Sequence, residues 1–163
     1  MDSKTQTLTY YKKKRGINNL ILRSLNDKEV IYGSFALNKQ LPPILRDTPG
    51  DIDIFSPRYK SRAKLVEKAL DKYMGFNAFE VRQAEHEGTV KIKSRITGKT
   101  VADYSKRPSK VSSVKFQHHN YASLPYLKQM TEKAIKNPEA KFRREKDKNV
   151  YNRISLAENL RRK

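Results

Sequence analysis

The chain has 163 residues, of which 36% are apolar, and this suits one small domain or one domain with a short appendage. The absence of cysteine excludes disulfide scaffolds, cysteine-ligated zinc and thiol nucleophiles. Lys and Arg number 36 against 17 Asp and Glu, and the resulting formal charge of +19 favours a polyanionic partner.

The charge is distributed unevenly. Residues 27–103 hold eleven of the 17 acidic residues, whereas both flanks are almost purely basic. A few carboxylates inside a phosphate-attracting surface indicate nucleic acid or nucleotide binding; the alternative is a generally basic, soluble surface. The N-terminus lacks the apolar segment of a secretory signal, and no apolar run has the roughly 18 residues of a membrane span. We therefore expect an intracellular protein without membrane contact, in the cytoplasm or nucleus.

The hydrophobic pattern divides the chain into three parts. Residues 1–26 form a basic N-terminal segment, whose first eleven residues are polar and expected to be loose and whose remainder predicts a helix. Residues 27–123 are the predicted core. Residues 124–163 predict a basic, helical C-terminal segment interrupted at Asn137-Pro138.

Within the core, short apolar runs alternate with helical patterns. The predicted strands are Glu29–Tyr32, Asp51–Phe55, Phe79–Arg82, Thr89–Lys93 and Thr100–Tyr104. The first helix of the core begins near Phe35 and is expected to end at Pro42 and Pro43, because proline lacks the N–H donor and restricts the residue before it. Ser56-Pro57 has the form of an N-cap followed by proline, which predicts a second helix that ends near Gly75. Residues 105–123 show no clear period.

Three carboxylates are the first candidates for chemistry. Asp51 and Asp53 are two residues apart on a predicted strand, so they project from the same face while Ile52 and Ile54 point into the core. Two such carboxylates repel each other unless a cation lies between them, and Mg²⁺ prefers oxygen ligands. A third carboxylate, Asp103 on a neighbouring strand, would allow a second ion, as in two-metal phosphoryl-transfer sites.

Gly33 and Ser34 supply the other half of the predicted site. They lie between a strand and the start of a helix, where glycine lets the backbone approach a phosphate closely. The Ser34 hydroxyl and the free N–H groups of the helix start can bind an anion. A simple N-cap role for Ser34 is compatible with this function.

At these residues the chain resembles the nucleotidyltransferase superfamily of DNA polymerase beta-like enzymes. The matching motifs are Ile31-Tyr32-Gly33-Ser34, Asp51-Ile52-Asp53-Ile54 and Val101-Ala102-Asp103. Within that superfamily the chain looks most like the poly(A) polymerase catalytic cores of large DNA viruses. The resemblance implies an α+β nucleotidyltransferase fold: a small mixed or antiparallel sheet with helices packed on one face, followed by C-terminal helices.

The resemblance also implies an activity. It implies transfer of a nucleoside monophosphate from ATP to an RNA 3′ end, with RNA favoured over DNA, and two Mg²⁺ or Mn²⁺ ions. In it, Asp51 and Asp53 hold both ions, Asp103 completes the ion that activates the hydroxyl, and Gly33 and Ser34 seat the triphosphate. A viral protein of this kind would be found in a viral factory or a virion.

Basic residues near these motifs are further candidates. Lys106 and Arg107 are the candidate triphosphate contacts, because they directly follow the predicted catalytic strand; a solvated loop is the alternative. The candidate nucleic-acid contacts are Lys12, Lys13, Lys14, Arg15, Lys110 and Lys115. The Lys12–Arg15 run is also open to interpretation as a localisation signal or a solvated helix face.

The chain departs from the family in two respects. Sixteen residues separate Ser34 from Asp51, a wider gap than usual, and Pro42, Pro43 and Pro49 predict an ordered insertion there. The chain is also short for a poly(A) polymerase. Residues 142–147 are similar to a Lys-Asp-containing helix that often follows the core.

Two alternative functions therefore stay open. One is a non-catalytic nucleic-acid-binding accessory subunit that keeps the nucleotidyltransferase fold. The other is a minimal nucleotidyltransferase that modifies a protein or a small molecule. A homodimer or a polymerase partner subunit is a reasonable expectation for so small a core.

Overall fold

The structure is a computed structural model that describes residues 1–162. Its helices are α1 (Ser3–Arg23), α2 (Gly33–Gln40), α3 (Tyr59–Met74), α4 (Leu124–Lys136) and α5 (Arg144–Arg161). Its strands are β1 (Val30–Tyr32), β2 (Ile52–Ser56), β3 (Phe79–Gln83), β4 (Thr89–Ser94), β5 (Thr100–Lys106), β6 (Ser113–Phe116) and β7 (His119–Ala122). Short 3₁₀ helices cover Pro43–Leu45 and Pro138–Arg143.

The seven strands form one mixed sheet. Their order is β3-β4-β5-β2-β1-β7-β6, with β2/β5 and β1/β7 parallel and the other pairs antiparallel. The centre of the sheet is β5-β2-β1. At this point Asp53 is the register partner of Asp103 on one side and of Tyr32 on the other.

The first core cluster fixes which face of the sheet the carboxylates use. Ile52 and Ile54 of β2 are fully buried against apolar residues of α1 and α3, among them Ile17, Ile21, Val66 and Leu70. Because strand side chains alternate, Asp53 must project from the opposite face. The alternation predicted for this strand is confirmed.

A second core cluster joins the C-terminal helices to the centre of the sheet. Val30 of β1 and Phe55 of β2 are buried with residues of α2, α4 and α5, which include Leu37, Leu124, Leu127, Ile154 and Ala157. The helix α5 is thereby held beside the strand that carries Asp53. No helix among residues 1–162 has the length and apolar character that crossing a membrane requires.

The structure corrects two local expectations about helices. The first eleven residues are not loose, because α1 begins at Ser3, the Asp2 side chain caps it by accepting a 2.7 Å hydrogen bond from the Thr5 N–H, and Tyr10 is buried. Ser56-Pro57 is not the start of α3. Ser56 is the last residue of β2, and α3 begins at Tyr59 without a side-chain cap.

The stretch 105–123 contains structure that showed no period in the sequence. Its hairpin of β6 and β7 extends the sheet beyond β1. Most of β6 is exposed, so there is no buried face to impose an apolar alternation on its sequence.

Candidate active site

The turn between β1 and α2 requires glycine for two reasons. Gly33 has φ of 65°, in the left-handed region that other residues rarely adopt. A Cβ atom at this position would also collide with Oδ2 of Asp53. The glycine thus brings the start of α2 into direct contact with the carboxylate.

The three predicted carboxylates meet in the fold. Asp51, Asp53 and Asp103 each place one carboxylate oxygen within 4.8 Å of the others, and all three are partly buried. The parallel pairing of β2 with β5 produces this meeting, because it sets Asp103 beside Asp53. Asp51 joins them from the residue just before β2. This is the only group of at least three His, Asp or Glu residues found so close together in residues 1–162.

The electrostatics of the cluster are unfavourable to its own charges. Burial, then the charges of Asp51 and Asp103, raises the pKa of Asp53 to about 8. Burial, then a hydrogen bond with Asp51 and the charge of that residue, raises the pKa of Asp103 to about 7. Asp53 and Asp103 are therefore not both fully ionised at neutral pH, and a cation bound between them would favour their ionisation. A hard divalent cation with oxygen ligands fits this donor set.

Two lysines already supply part of that positive charge. Lys91 of β4 is the register partner of Asp103, and its charge lowers the pKa of that carboxyl. The charge of Lys146 on α5 does the same for Asp53. Lys91 is not among the site residues predicted from the sequence, although its alternation with Val90 and Ile92 places it on the sheet face that carries Asp103. Lys146 lies in the 142–147 segment that resembles a family helix.

An aromatic and hydroxyl layer supports the site. The Tyr32 ring stacks on Phe55 with centroids 3.8 Å apart, on the sheet face that carries Asp53. The Tyr32 hydroxyl shares a 2.8 Å hydrogen bond with Ser105, which shares a 2.7 Å bond with Thr89. Burial, then the charge of Asp53, raises the pKa of Tyr32, so this hydroxyl keeps its proton at neutral pH.

The predicted nucleotide contacts do not all lie on the sheet face that carries the carboxylates. Ser34 is in the first turn of α2, and its Oγ accepts a 3.1 Å hydrogen bond from the Gly50 N–H. Lys106 is three residues beyond Asp103 on β5, so its side chain leaves the opposite face of the sheet. Arg107 donates a 2.9 Å hydrogen bond to the Lys28 carbonyl. The structure does not bring these two basic side chains to the carboxylates.

The predicted nucleic-acid contacts lie on two different parts of the surface. Lys12, Lys14 and Arg15 are exposed on α1, which packs on the other face of the sheet. Lys13 donates a 2.7 Å hydrogen bond to the Tyr73 carbonyl at the end of α3, which gives it a structural role. Lys110 and Lys115 are exposed, in the segment before β6 and in β6 itself. The role of these residues in RNA binding stays a prediction.

Comparison with known proteins identifies the fold. The Megavirus polyadenylate synthase has a similar structure, with a TM-score of 0.77 and 21% sequence identity over 90% of this chain. The chain has the fold of a poly(A) polymerase-like nucleotidyltransferase. This confirms the predicted α+β fold. The match spans only 32% of the Megavirus chain, so this protein corresponds to about a third of its neighbour's length. No protein-family profile and no curated protein sequence matches the chain.

Proposed function

We propose that the protein is a divalent-metal-dependent nucleotidyltransferase that transfers AMP from ATP to the 3′ hydroxyl of an RNA. The observation that carries this proposal is the meeting of Asp51, Asp53 and Asp103 against the glycine turn that opens α2. The poly(A) polymerase-like fold supports the same reaction class, and so does the name of the structural neighbour.

The three carboxylates would hold two divalent ions, either Mg²⁺ or Mn²⁺. When bound, such ions neutralise phosphate charge and make a coordinated hydroxyl more acidic. The residues of the chain then act mainly by positioning and by charge. The N–H groups at the start of α2 and the Ser34 hydroxyl would bind phosphate oxygens, and Lys91 and Lys146 would attract the triphosphate.

The reaction forms one bond and breaks one. The 3′ oxygen of the acceptor bonds to the α-phosphorus of the nucleotide, and the hydroxyl proton passes to a carboxylate of the cluster. The bond from the α-phosphorus to the bridging oxygen breaks, and pyrophosphate leaves with that oxygen. Lys91 and Lys146 would favour the transfer by balancing the negative charge that collects on the leaving group.

The charge of the chain supports RNA as the acceptor. A formal charge of +19 attracts a polyanion, and the exposed basic residues on α1 and β6 offer further phosphate contacts. A pure RNA-binding subunit would gain nothing from three clustered carboxylates, which raise the pKa of Asp53 and of Asp103. Their presence therefore favours an enzyme over the accessory-subunit alternative.

The test is nucleotide incorporation across a matrix of donors and acceptors. The folded protein is incubated with each of the four labelled nucleoside triphosphates and with RNA, DNA or no primer, in Mg²⁺ and in EDTA. We expect ATP to label RNA in Mg²⁺ only, and Asp51→Asn to abolish labelling while the exposed Asp27→Asn retains it. No incorporation in any arm, together with salt-sensitive RNA binding that survives Asp51→Asn, would establish the accessory-subunit function instead. Labelling of the protein itself or of a small molecule would favour the other alternative.

A further inference from the structure

The long connection between α2 and β2 is an ordered segment that runs back along α2. We call residues 42–50 the strap. It begins with the 3₁₀ turn Pro43–Leu45 after the C-terminal end of α2, and it finishes beside the N-terminal end of the same helix, where Asp51 follows directly. The strap therefore occupies the part of the chain where the sequence predicts an ordered insertion.

The beginning of the strap is anchored by two arginines. Arg46 donates a 2.8 Å hydrogen bond from Nε to the Leu41 carbonyl, which ties the strap to the end of α2. Arg153 of α5 donates a 3.1 Å hydrogen bond from Nη1 to the Leu45 carbonyl. Residues 46–50 are exposed, so apolar burial does not hold this part of the strap in place.

The middle of the strap is held by a reciprocal amide clamp. The Asn38 Nδ2 group donates a 2.6 Å hydrogen bond to the Asp47 carbonyl, and the Asp47 N–H donates a 3.1 Å bond to Asn38 Oδ1. Because donor and acceptor of one planar amide are both used, the clamp fixes the direction of the strap as well as its distance. Asn38 is one helical turn after Ser34, so the two side chains share a face of α2.

The end of the strap sets the Ser34 hydroxyl. The Gly50 N–H donates a 3.1 Å hydrogen bond to Ser34 Oγ. A serine hydroxyl has a single hydrogen. Because Ser34 Oγ accepts a hydrogen bond from the strap, its own hydrogen points away from the strap. Ser34 follows the glycine that touches Asp53, so a hydroxyl hydrogen that the strap does not use is available to the proposed triphosphate.

We propose that Asn38 is a positioning residue: through the strap and Gly50 it orients the Ser34 hydroxyl toward the triphosphate. This proposal rests on the proposed function, because the triphosphate is the ligand that Ser34 would bind.

The structure offers a matched control on the same helix. Gln40 of α2 also forms an amide clamp, donating a 2.7 Å hydrogen bond to the Ala122 carbonyl and accepting a 3.2 Å bond from the Leu124 N–H. Asn38→Ala and Gln40→Ala therefore each remove one reciprocal clamp from α2, and only the first one holds the strap. Gly50→Ala is a second control, because it keeps the N–H and an added Cβ would meet no atom within 4 Å.

The experiment measures the KM for ATP, kcat, and the affinity for a non-hydrolysable ATP analogue. We expect Asn38→Ala and Ser34→Ala each to raise KM and the analogue Kd about tenfold, the value of one charge-assisted hydrogen bond, with kcat within about threefold. The double variant should be no weaker than Ser34→Ala alone, since the clamp acts through that hydroxyl. Asn38→Asp keeps the acceptor oxygen, so its KM for ATP and its analogue Kd should lie between those of the wild type and Asn38→Ala.

The outcomes separate this proposal from the function on which it rests. The strap proposal is overturned if Asn38→Ala and Gln40→Ala change the analogue Kd equally, or if the effects of Asn38→Ala and Ser34→Ala on it are independent. Nucleotide transfer by the wild type would still uphold the proposed function in that case. If the wild type binds the analogue but transfers no nucleotide, the proposed function fails, and the analogue affinities still decide the role of the strap. A wild type that does not bind the analogue contradicts both. Thermal unfolding of each variant checks that it is folded.

Discussion

Replacing the most perturbed carboxylate with its neutral isostere should stabilise the metal-free protein. Asp53 is partly buried and faces Asp51 and Asp103, and its pKa is raised from 3.8 to about 8 by burial and by those charges. One pKa unit corresponds to about 1.36 kcal/mol, so full ionisation of Asp53 costs the folded state at most about 6 kcal/mol. Asp53→Asn removes this cost, but burying the asparagine amide destabilises the folded variant by about 1–3 kcal/mol. We expect Asp53→Asn to raise the free energy of unfolding by at most about 3–5 kcal/mol above pH 8.

The pH dependence gives the sign of the effect. Because the pKa of Asp53 is higher in the folded chain, the folded state binds the proton more tightly than the unfolded state. Wild-type stability therefore falls from about pH 4 to pH 8 on account of this group, and Asp53→Asn removes that fall. The advantage of the variant should be largest above pH 8 and should disappear near pH 4.

Urea unfolding in EDTA at pH 5 and pH 8.5 measures this difference. The exposed Asp27→Asn serves as the control and should stay within about 0.5 kcal/mol of wild type at both values. Mg²⁺ should then stabilise the wild type and leave Asp53→Asn unchanged, because ligand binding to the folded state adds to its stability. The reasoning is refuted if Asp53→Asn is less stable than wild type at pH 8.5, or if the difference does not depend on pH.

Three further changes have direct expectations. Gly33→Ala should lower the melting temperature and abolish nucleotide incorporation, because its Cβ would strike the Asp53 carboxylate; wild-type activity in this variant would contradict the turn geometry. Lys91→Ala should lower kcat/KM for ATP about tenfold by removing a charge that faces the carboxylates, whereas the exposed Lys99→Ala should not. Lys13→Met should lower the free energy of unfolding by about 1–2 kcal/mol, because it loses its hydrogen bond to the end of α3, and equal stability would refute that role.

The sequence was sufficient for the local parts of the site. Asp51 and Asp53 follow from strand alternation, and Gly33-Ser34 from a strand-to-helix turn. The meeting with Asp103 depends on β5 lying parallel to β2, a pairing between segments about fifty residues apart that no local pattern specifies. The sequence therefore offers the position of Asp103 on a neighbouring strand only as a hypothesis, and the fold brings the three carboxylates together.

Other features depend on tertiary contacts that leave little trace in the sequence. Lys13 belongs to a basic run that resembles a phosphate-binding patch, yet its amine donates a hydrogen bond to the carbonyl of Tyr73 at the end of α3. The hairpin of β6 and β7 has no apolar alternation, because β6 is mostly exposed. The clamp between Asn38 and Asp47 joins side-chain and backbone groups of types that are common in any loop, so its position could be read only from the fold.

Titration with Mn²⁺, followed by the electron paramagnetic resonance signal of the free ion, tests the central claim most directly. In the presence of a non-hydrolysable ATP analogue, the wild type should bind two Mn²⁺ ions per chain, and Asp53→Asn and Asp103→Asn should each lose at least one, while Asp27→Asn keeps both. Equal Mn²⁺ binding by wild type and Asp53→Asn, or no binding by the wild type at millimolar Mn²⁺, would show that the three carboxylates do not form a metal centre.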